Sequence, residues 1–345
     1  MKKSILDAID KEHQTQEQLR EQKKQLEFEK VKGEVKRLLA ERQEQEQRIE
    51  FLLGLTNHKS KSYEIPKSKG IGTEATSVMV LSDAHIDETV EEETTNNLNK
   101  YDASIARESL KQYFSNALRL HQIFSKDVPV HNILLVILGD LISGYIHPDL
   151  LENNNCSPTQ ATIRVFELLK SGIDHLYKHT KAKITIACKF GNHGRTTDKK
   201  RIATGYKNNF EWMMYHLLAN EFANNDQTQF IIEDGYLTYI TLYDHYTLRL
   251  HHGDAIRYKD GIGGITIPVN KAIAAWDKER KAYLDVFGHH HQLMLDAGKF
   301  VSNGSVIGYN PYGIYVKAAY ERPQQAFFLI DSKRGKTVCA PILVR

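Results

Sequence analysis

Thiols are scarce in this sequence. The three cysteines, Cys156, Cys188 and Cys339, are odd in number and far apart. That excludes a disulfide framework and fits a reducing compartment. Long apolar runs are missing as well. The longest, Ile133 to Leu138, falls far short of the roughly 20 residues that cross a bilayer. A secretory leader is not expected, because Asp7, Asp10 and Glu12 follow the basic Met1-Lys2-Lys3 where an apolar region would have to stand. The expectation is a cytoplasmic protein with no membrane contact. There is no excess of one charge either. Lys and Arg number 46 against 43 Asp and Glu, a formal net charge of +3, so any contact with nucleic acid has to come from a local patch. No internal repeat, zinc finger or helix-turn-helix reader is visible. What is present is globular: 345 residues, 41% hydrophobic and 26% charged, enough for one large core with an appendage.

The appendage is residues 1–58, rich in Glu, Gln, Lys and Arg and without Pro. One stripe runs through it: Phe28, Val31, Val35, Leu38, Arg42, Gln45, Ile49, Leu52. Its steps alternate three and four, the seam of a coiled coil. Arg42 and Gln45 interrupt the seam, and Gly33 weakens the helix by about 1 kcal/mol relative to Ala. Two readings stand: a helical coiled-coil arm that makes a homo-oligomer or takes a partner helix, or a solvated helix packed on its own domain. Residues 59–75, with Asn57-His58-Lys59-Ser60 before them and Pro66-Lys67-Ser68-Lys69-Gly70 within, have the composition of a linker. The compact domain is expected over 76–345.

Within that domain, apolar β-branched runs alternate with helical spacing. Ser77 to Ser82, Ile133 to Leu138, Ile184 to Cys188 and Leu284 to Phe287 read as buried strands. Strands are also expected over 236–243 and 246–251, with a hairpin at Asp244-His245. Residues 87–100 read as a loop or insertion. Helices are expected from Tyr101 to Ile123 and over roughly 160–178, 206–223 and 269–282. The tail, 299–343, reads as strand-rich, with turns at Asn303-Gly304 and Lys333-Arg334-Gly335. This order predicts an α/β fold with mixed sheets.

Each buried run ends in residues that favour chemistry over folding. Ile184 to Cys188 leads into Gly191-Asn192-His193-Gly194-Arg195, where Gly191 permits a sharp turn and a close backbone approach. Asp83 with His85, Asp140, His252, and His289 with His291 follow the other strands. Sites in open α/β sheets form beyond the carboxyl ends of the strands, so these five clusters can converge. Carboxylate, imidazole and amide together suit manganese, iron or zinc rather than a structural thiolate site. Seven ligands are too many for one ion and about right for two. A pair of ions about 3.5–4 Å apart stabilises both the attacking and the leaving oxygen of a phosphoester.

The order Asp-x-His, Gly-Asp, Gly-Asn-His, His-Gly, Gly-His-x-His, over about 78–305, resembles the calcineurin-like metallophosphoesterase superfamily. Asn303-Gly304-Ser305 is similar to a turn of its bacterial phosphodiesterase and nuclease branches. The resemblance implies two packed mixed β-sheets flanked by helices, and two divalent ions. Manganese is expected first, with iron, zinc and magnesium as alternatives. It implies that Asp83, His85 and His291 hold one ion, that Asn192, His252 and His289 hold the other, and that Asp140 bridges them. A hydroxide bridging the ions would attack phosphorus in line. His193 would stay off the metals and either donate a proton to the leaving oxygen or stabilise the charged transition state. Alternation along a strand puts His251 and His252 on opposite faces and turns His290 away from its neighbours; the His-Gly step of the resemblance favours His252 as the ligand. Asp254 is a candidate partner for an imidazole. Gly194 departs from the acidic residue that many relatives carry after Asn-His. Arg195 reads either as a phosphate clamp or as a solvated side chain.

The phosphoprotein branch carries Gly-Asp-x-x-Asp-Arg-Gly and Gly-Asn-His-Glu. Gly139-Asp140-Leu141-Ile142-Ser143-Gly144 and Gly191-Asn192-His193-Gly194 argue against it. The intact ligand set argues against an inactive coiled-coil scaffold. Residues 195–207 carry Arg195, Lys199, Lys200, Arg201 and Lys207 against Asp198. This segment reads either as a track for a polynucleotide backbone or as a solvated loop. The leading expectation is a DNA nuclease in the style of the SbcD-like or bacterial and phage branches, with the cytoplasm of a bacterium or phage-infected host as its setting. The alternative is a small-molecule or cyclic-nucleotide phosphodiesterase.

Overall fold

A computed structural model describes residues 25, 29, 30, 32–39, 42, 62–68, 72–258, 264–295 and 298–345. The chain divides into two compact units, Met1–Asn57 and His58–Arg345. In the first, residues 32–39 are helical. Most of the expected heptad seam lies outside the described residues. Its members Val35 and Leu38 are exposed.

The second unit is α/β, with two mixed sheets. The six-stranded sheet contains β2 (Ala75–Leu81), β3 (Val130–Ile137), β4 (Lys183–Cys188), β5 (Thr228–Ile232), β10 (Gln324–Asp331) and β11 (Gly335–Leu343), in the order β11-β10-β2-β3-β4-β5. Strands β2 to β5 run parallel, and β10 and β11 pair antiparallel. The five-stranded sheet has the order β1-β6-β7-β8-β9, from β1 (Ser62–Ile65), β6 (Thr238–Leu242), β7 (Tyr246–Leu250), β8 (Leu284–Phe287) and β9 (Phe300–Ser302). Strand β1 falls inside the stretch whose composition reads as a linker. It pairs parallel with β6, placing Tyr63 opposite Ile240.

Period-two alternation assigns the core. In β2, Val78 and Val80 pack between the sheets with Leu134, Val136, Ile240, Leu248 and Val286. Their neighbours Met79 and Leu81 turn to the other face, toward Leu110, Phe114, Leu169 and Ile173. A strand buried on both faces reads as a continuous apolar run, which is why β2, β3 and β4 are legible in the sequence. The helices on the outer face are α1 (Ala103–Phe124), α3 (Pro158–His179) and α4 (Phe210–Glu221), with the short α2 (Pro148–Asn153) between α1 and α3 in sequence. Helix α1 starts at Asp102, whose carboxylate accepts the N–H groups of Ser104 and Ile105. Helix α3 starts with a Ser157–Gln160 capping box. Helix α4 starts four residues later than the spacing predicts, because Asn209 is extended and caps Glu211 and Trp212. Helices α5 (Thr266–Trp276) and α6 (Pro311–Tyr315) follow later in the chain. The β6–β7 turn places Tyr243 and Asp244 at positive φ, one residue before the expected hairpin. Among the described residues no helix is long and apolar enough to cross a membrane.

Candidate metal centre

The five strand-end clusters meet beyond the carboxyl ends of β2, β3, β4, β7 and β8. Three groups of side chains offer ligand atoms within 4.8 Å of one another: Asp83, His85 and His291; Asp140, His252 and His289; and His85, Asp140 and His193. Asp140 belongs to the second and third groups and His85 to the first and third, so the groups form one continuous centre. Asp83, His85, Asp140 and His252 are buried.

The turns are tight. A Cβ on Gly191 would stand 2.1 Å from Asp140 Oδ1, and one on Gly139 would stand 2.1 Å from the nitrogen of Gly191. Only a glycine at each of these positions lets the β3 and β4 turns touch. Five of the predicted ligands are left-handed: Asp83, His85, Asp140, His289 and His291, with φ between 47° and 70°. For non-glycine residues this conformation costs about 1–2 kcal/mol each and concentrates at functional sites.

Hydrogen bonds fix which ring nitrogen faces inward. His252 Nδ1 lies 2.6 Å from the carbonyl of Leu138, which can only accept, so Nδ1 carries the hydrogen and Nε2 points into the site. His252 Nε2 stands 2.9 Å from Asp140 Oδ2 and 3.1 Å from Asn192 Oδ1. In a neutral ring these would be three lone pairs facing one another. Such a donor set holds together only around a proton or a cation, and it suits a divalent ion. Without a cation a proton takes that place. Burial alone would lower the His252 pKa, but the Asp140 carboxylate outweighs it and raises it. Burial would raise the Asp140 carboxyl, yet His252, His193 and His85 hold it well below its usual range. On the other side, His291 Nε2 is 3.5 Å from Asp83 Oδ1. His85 Nδ1 lies 2.9 Å from Ser143 Oγ, whose hydroxyl donates to Glu88. Burial, then the neighbouring His193, lowers the His85 pKa. His289 Nδ1 is 4.0 Å from Asp140 Oδ2.

His193 approaches without joining the two outer groups. Its backbone N–H donates to Asp140 Oδ1 at 2.8 Å, and its Nδ1–H donates to the carbonyl of Ser143 at 2.8 Å. That carbonyl orients the ring, a task the residue after Asn-His does not perform in this chain. A side chain at Gly194 would collide with Asn209 and Glu211. Glu211 itself was not legible as a site residue. Its Oε1 accepts from Leu141 N at 2.6 Å and its Oε2 from Gly191 N at 2.7 Å, so one carboxylate joins the Asp140 and Asn192 turns. An acid in a first helical turn is ordinary, and nothing in the sequence sets this one apart. His147 was missed as well; its ring lies 5.8 Å from that of His193.

His251 turns away from the site and packs on Phe287 and Trp276, as strand alternation requires. The guanidinium of Arg195 donates to the carbonyls of Asn192, Thr197 and Asp198, so it clasps its own loop. Lys200 lies 2.5 Å from Asp254, so the carboxylate pairs with a cation rather than with an imidazole. Lys199 and Arg201 are exposed.

No protein-family model matches the chain, and no curated protein matches its sequence. Among solved structures, a dimetal phosphatase from Danio rerio is similar over 78% of this chain and 99% of its own, at 10% identity and a TM-score of 0.34. A sulfate thiohydrolase, SoxB, from Thermus thermophilus is similar over 81% of this chain and 58% of its own, at 10% identity and a TM-score of 0.34. At that level the reading of the site rests on its own residues.

Proposed function

We propose that this protein is a metal-dependent phosphodiesterase of the calcineurin-like type, with DNA as its leading substrate class. The observation that carries the reading is that six predicted ligands, Asp83, His85, Asp140, His252, His289 and His291, fall into linked groups about buried Asp140, with Asn192 Oδ1 beside His252. Asp83, His85 and His291 would hold one divalent ion, Asn192, His252 and His289 a second, with Asp140 between them and manganese the first choice. When bound, such ions supply Lewis-acid stabilisation of charge and a nucleophile at neutral pH.

The chain's own residues do the rest. Asp140 is fixed by the His193 N–H at one oxygen, which leaves the other toward His252 and His289. His193, held through Nδ1 by the carbonyl of Ser143, presents Nε2. In the charged ring that nitrogen can give a proton to a leaving oxygen. Loops at the strand ends supply the chemistry, and the two sheets supply rigidity.

Lys199, Arg201 and Lys207 offer charge to a polynucleotide backbone. The engagement of Arg195 and Lys200 within the chain favours the second reading, a small-molecule or cyclic-nucleotide phosphodiesterase. Residues 1–58 would serve as an oligomerising or partner-binding arm, and a cytoplasmic setting accords with three free thiols.

The test is metal analysis followed by a substrate panel: a chromogenic phosphodiester, single- and double-stranded DNA, RNA and a phosphopeptide. Hydrolysis of the chromogenic diester and of DNA by the manganese-loaded protein supports the reading. Turnover of the phosphopeptide alone contradicts it.

A further inference from the structure

After β9 the chain leaves the floor of the metal centre, and it returns at β10. Both ends of this excursion are tied to the first ligand turn. Asn303 donates through Nδ2 to Ser82 Oγ at 2.8 Å, and Val306 N donates to the carbonyl of Asp83 at 3.0 Å. On the return, Gln325 Oε1 accepts from Ser82 N at 2.8 Å. Two further ties hold the middle. Asn310 Nδ2 donates to Glu88 Oε1 at 3.1 Å, and Glu88 in turn accepts from Ser143, the hydroxyl beside His85. The Glu321 carboxylate accepts from Leu293 N at 2.8 Å, two residues beyond His291. Residues 306–323 therefore form the rim of the Asp83, His85 and His291 group.

What this rim turns to solvent is aromatic and basic. Tyr312 is 69% exposed, Tyr315 83% and Tyr320 55%, and Lys317 and Arg322 are exposed among them. Tyr312 and Tyr315 stand three residues apart on α6, and Tyr320 packs edge-on against Tyr309 with ring centroids 5.6 Å apart; burial in the core does not account for rings so far uncovered. Exposed apolar surface rimmed by polar residues marks a binding face. Aromatic rings interleaved with cations beside a phosphoester site are the composition of a surface for single strands. Each ring can stack on the face of any base while the cations meet phosphates. We propose that Tyr312, Tyr315 and Tyr320 form a stacking platform for unpaired bases, with Lys317 and Arg322 on the backbone, and that the substrate of this centre is a single-stranded polynucleotide. The inference rests on the phosphodiesterase reading above and narrows its substrate. A duplex hides its base faces in its own stack, so the platform discriminates against it.

The experiment is a binding titration of the full-length, metal-loaded protein. The probes are a fluorescent single-stranded DNA of roughly a dozen nucleotides, an abasic strand of equal length and a duplex. The variants are the triple change of Tyr312, Tyr315 and Tyr320 to Ala and the same triple change to Phe. Melting temperature and bound metal verify that each variant is folded. The wild type should prefer the base-bearing strand to both other probes. The Ala variant should lose affinity for it by roughly fivefold or more per lost stack and bind base-bearing and abasic strands alike. The Phe variant should bind as the wild type does, because the ring face remains. An Ala variant with wild-type affinity and preference overturns the inference alone. So does one whose mass by light scattering falls while its affinity is kept, which would make the platform a contact between copies of the chain. A wild type that hydrolyses the chromogenic diester yet binds neither DNA strand overturns the polynucleotide reading and the inference with it.

Discussion

Glu211 accepts the backbone N–H of Gly191 at 2.7 Å, reaching the centre from the first turn of a helix that supplies no ligand. Its second oxygen accepts from Leu141. Burial raises its pKa, and the charge of Asp140 raises it further. Glu211→Gln puts a donor where one of these acceptors stands. A buried acceptor lost in this way costs about 1–3 kcal/mol. The variant should melt at a lower temperature and retain less metal after dialysis. Calorimetry and metal analysis check this; wild-type values for both would remove Glu211 from the account.

His193 separates binding from chemistry. If it acts on the leaving oxygen, His193→Ala should keep the metal content of the wild type. Its turnover of a chromogenic diester should fall by roughly 10²–10⁴. Loss of metal instead would assign His193 to the ligand set, in the group it forms with His85 and Asp140.

The basic segment should divide. Lys199 and Arg201 are exposed, and each phosphate contact contributes about 0.7 to the slope of log affinity against log salt on single strands. Replacing both with Ala should flatten that slope by about 1.4 by the same relation, uniformly across base sequences. Lys200→Ala should instead lower the melting temperature, because it removes the cation paired with the buried Asp254 carboxylate. Fluorescence titrations at several salt concentrations and melting curves distinguish the two effects. An unchanged slope would return 195–207 to a solvated loop.

A pH effect is expected away from the site. His121, buried between α1 and the sheet, contacts Ser77 and Thr180. Burial lowers its pKa from 6.5 to about 4. The unfolded chain therefore binds a proton that the folded one refuses between these values. This stability is fully present above pH 6.5 and is lost as pH falls toward 4, by on the order of 3 kcal/mol. His121→Gln should flatten the acid limb of the melting profile of the chelated protein. A limb as steep as that of the wild type contradicts the assignment.

Much of the centre was legible because its strands are buried on both faces and each ends in residues that strands avoid. Asp83, His85, Asp140, Asn192, His252, His289 and His291 announce themselves in this way. Alternation says only that His251 and His252 face opposite ways; the choice of His252 came from the His-Gly step of the resemblance. Other parts carried no local signal. Strand β1 is four residues long and pairs with Tyr239–Leu242, a contact that no local pattern encodes. Strand β5 lies at the sheet edge, with a mixed burial pattern. Glu211 looks like any first-turn acid. The clasp made by Arg195 and the ion pair of Lys200 depend on where their loop folds back. The aromatic rim lay inside a tail read only as strand-rich.

The most direct test of the account is metal occupancy at Asp140. Wild-type protein loaded with manganese should bind two ions per chain and hydrolyse a chromogenic phosphodiester. Asp140→Asn, which keeps the size of the side chain and removes its charge, should bind fewer ions and show no hydrolysis. Anomalous scattering from crystals of the loaded protein should place two peaks, one on each side of Asp140. Two ions retained by Asp140→Asn together with wild-type turnover, or no ion bound by the wild type, would contradict it.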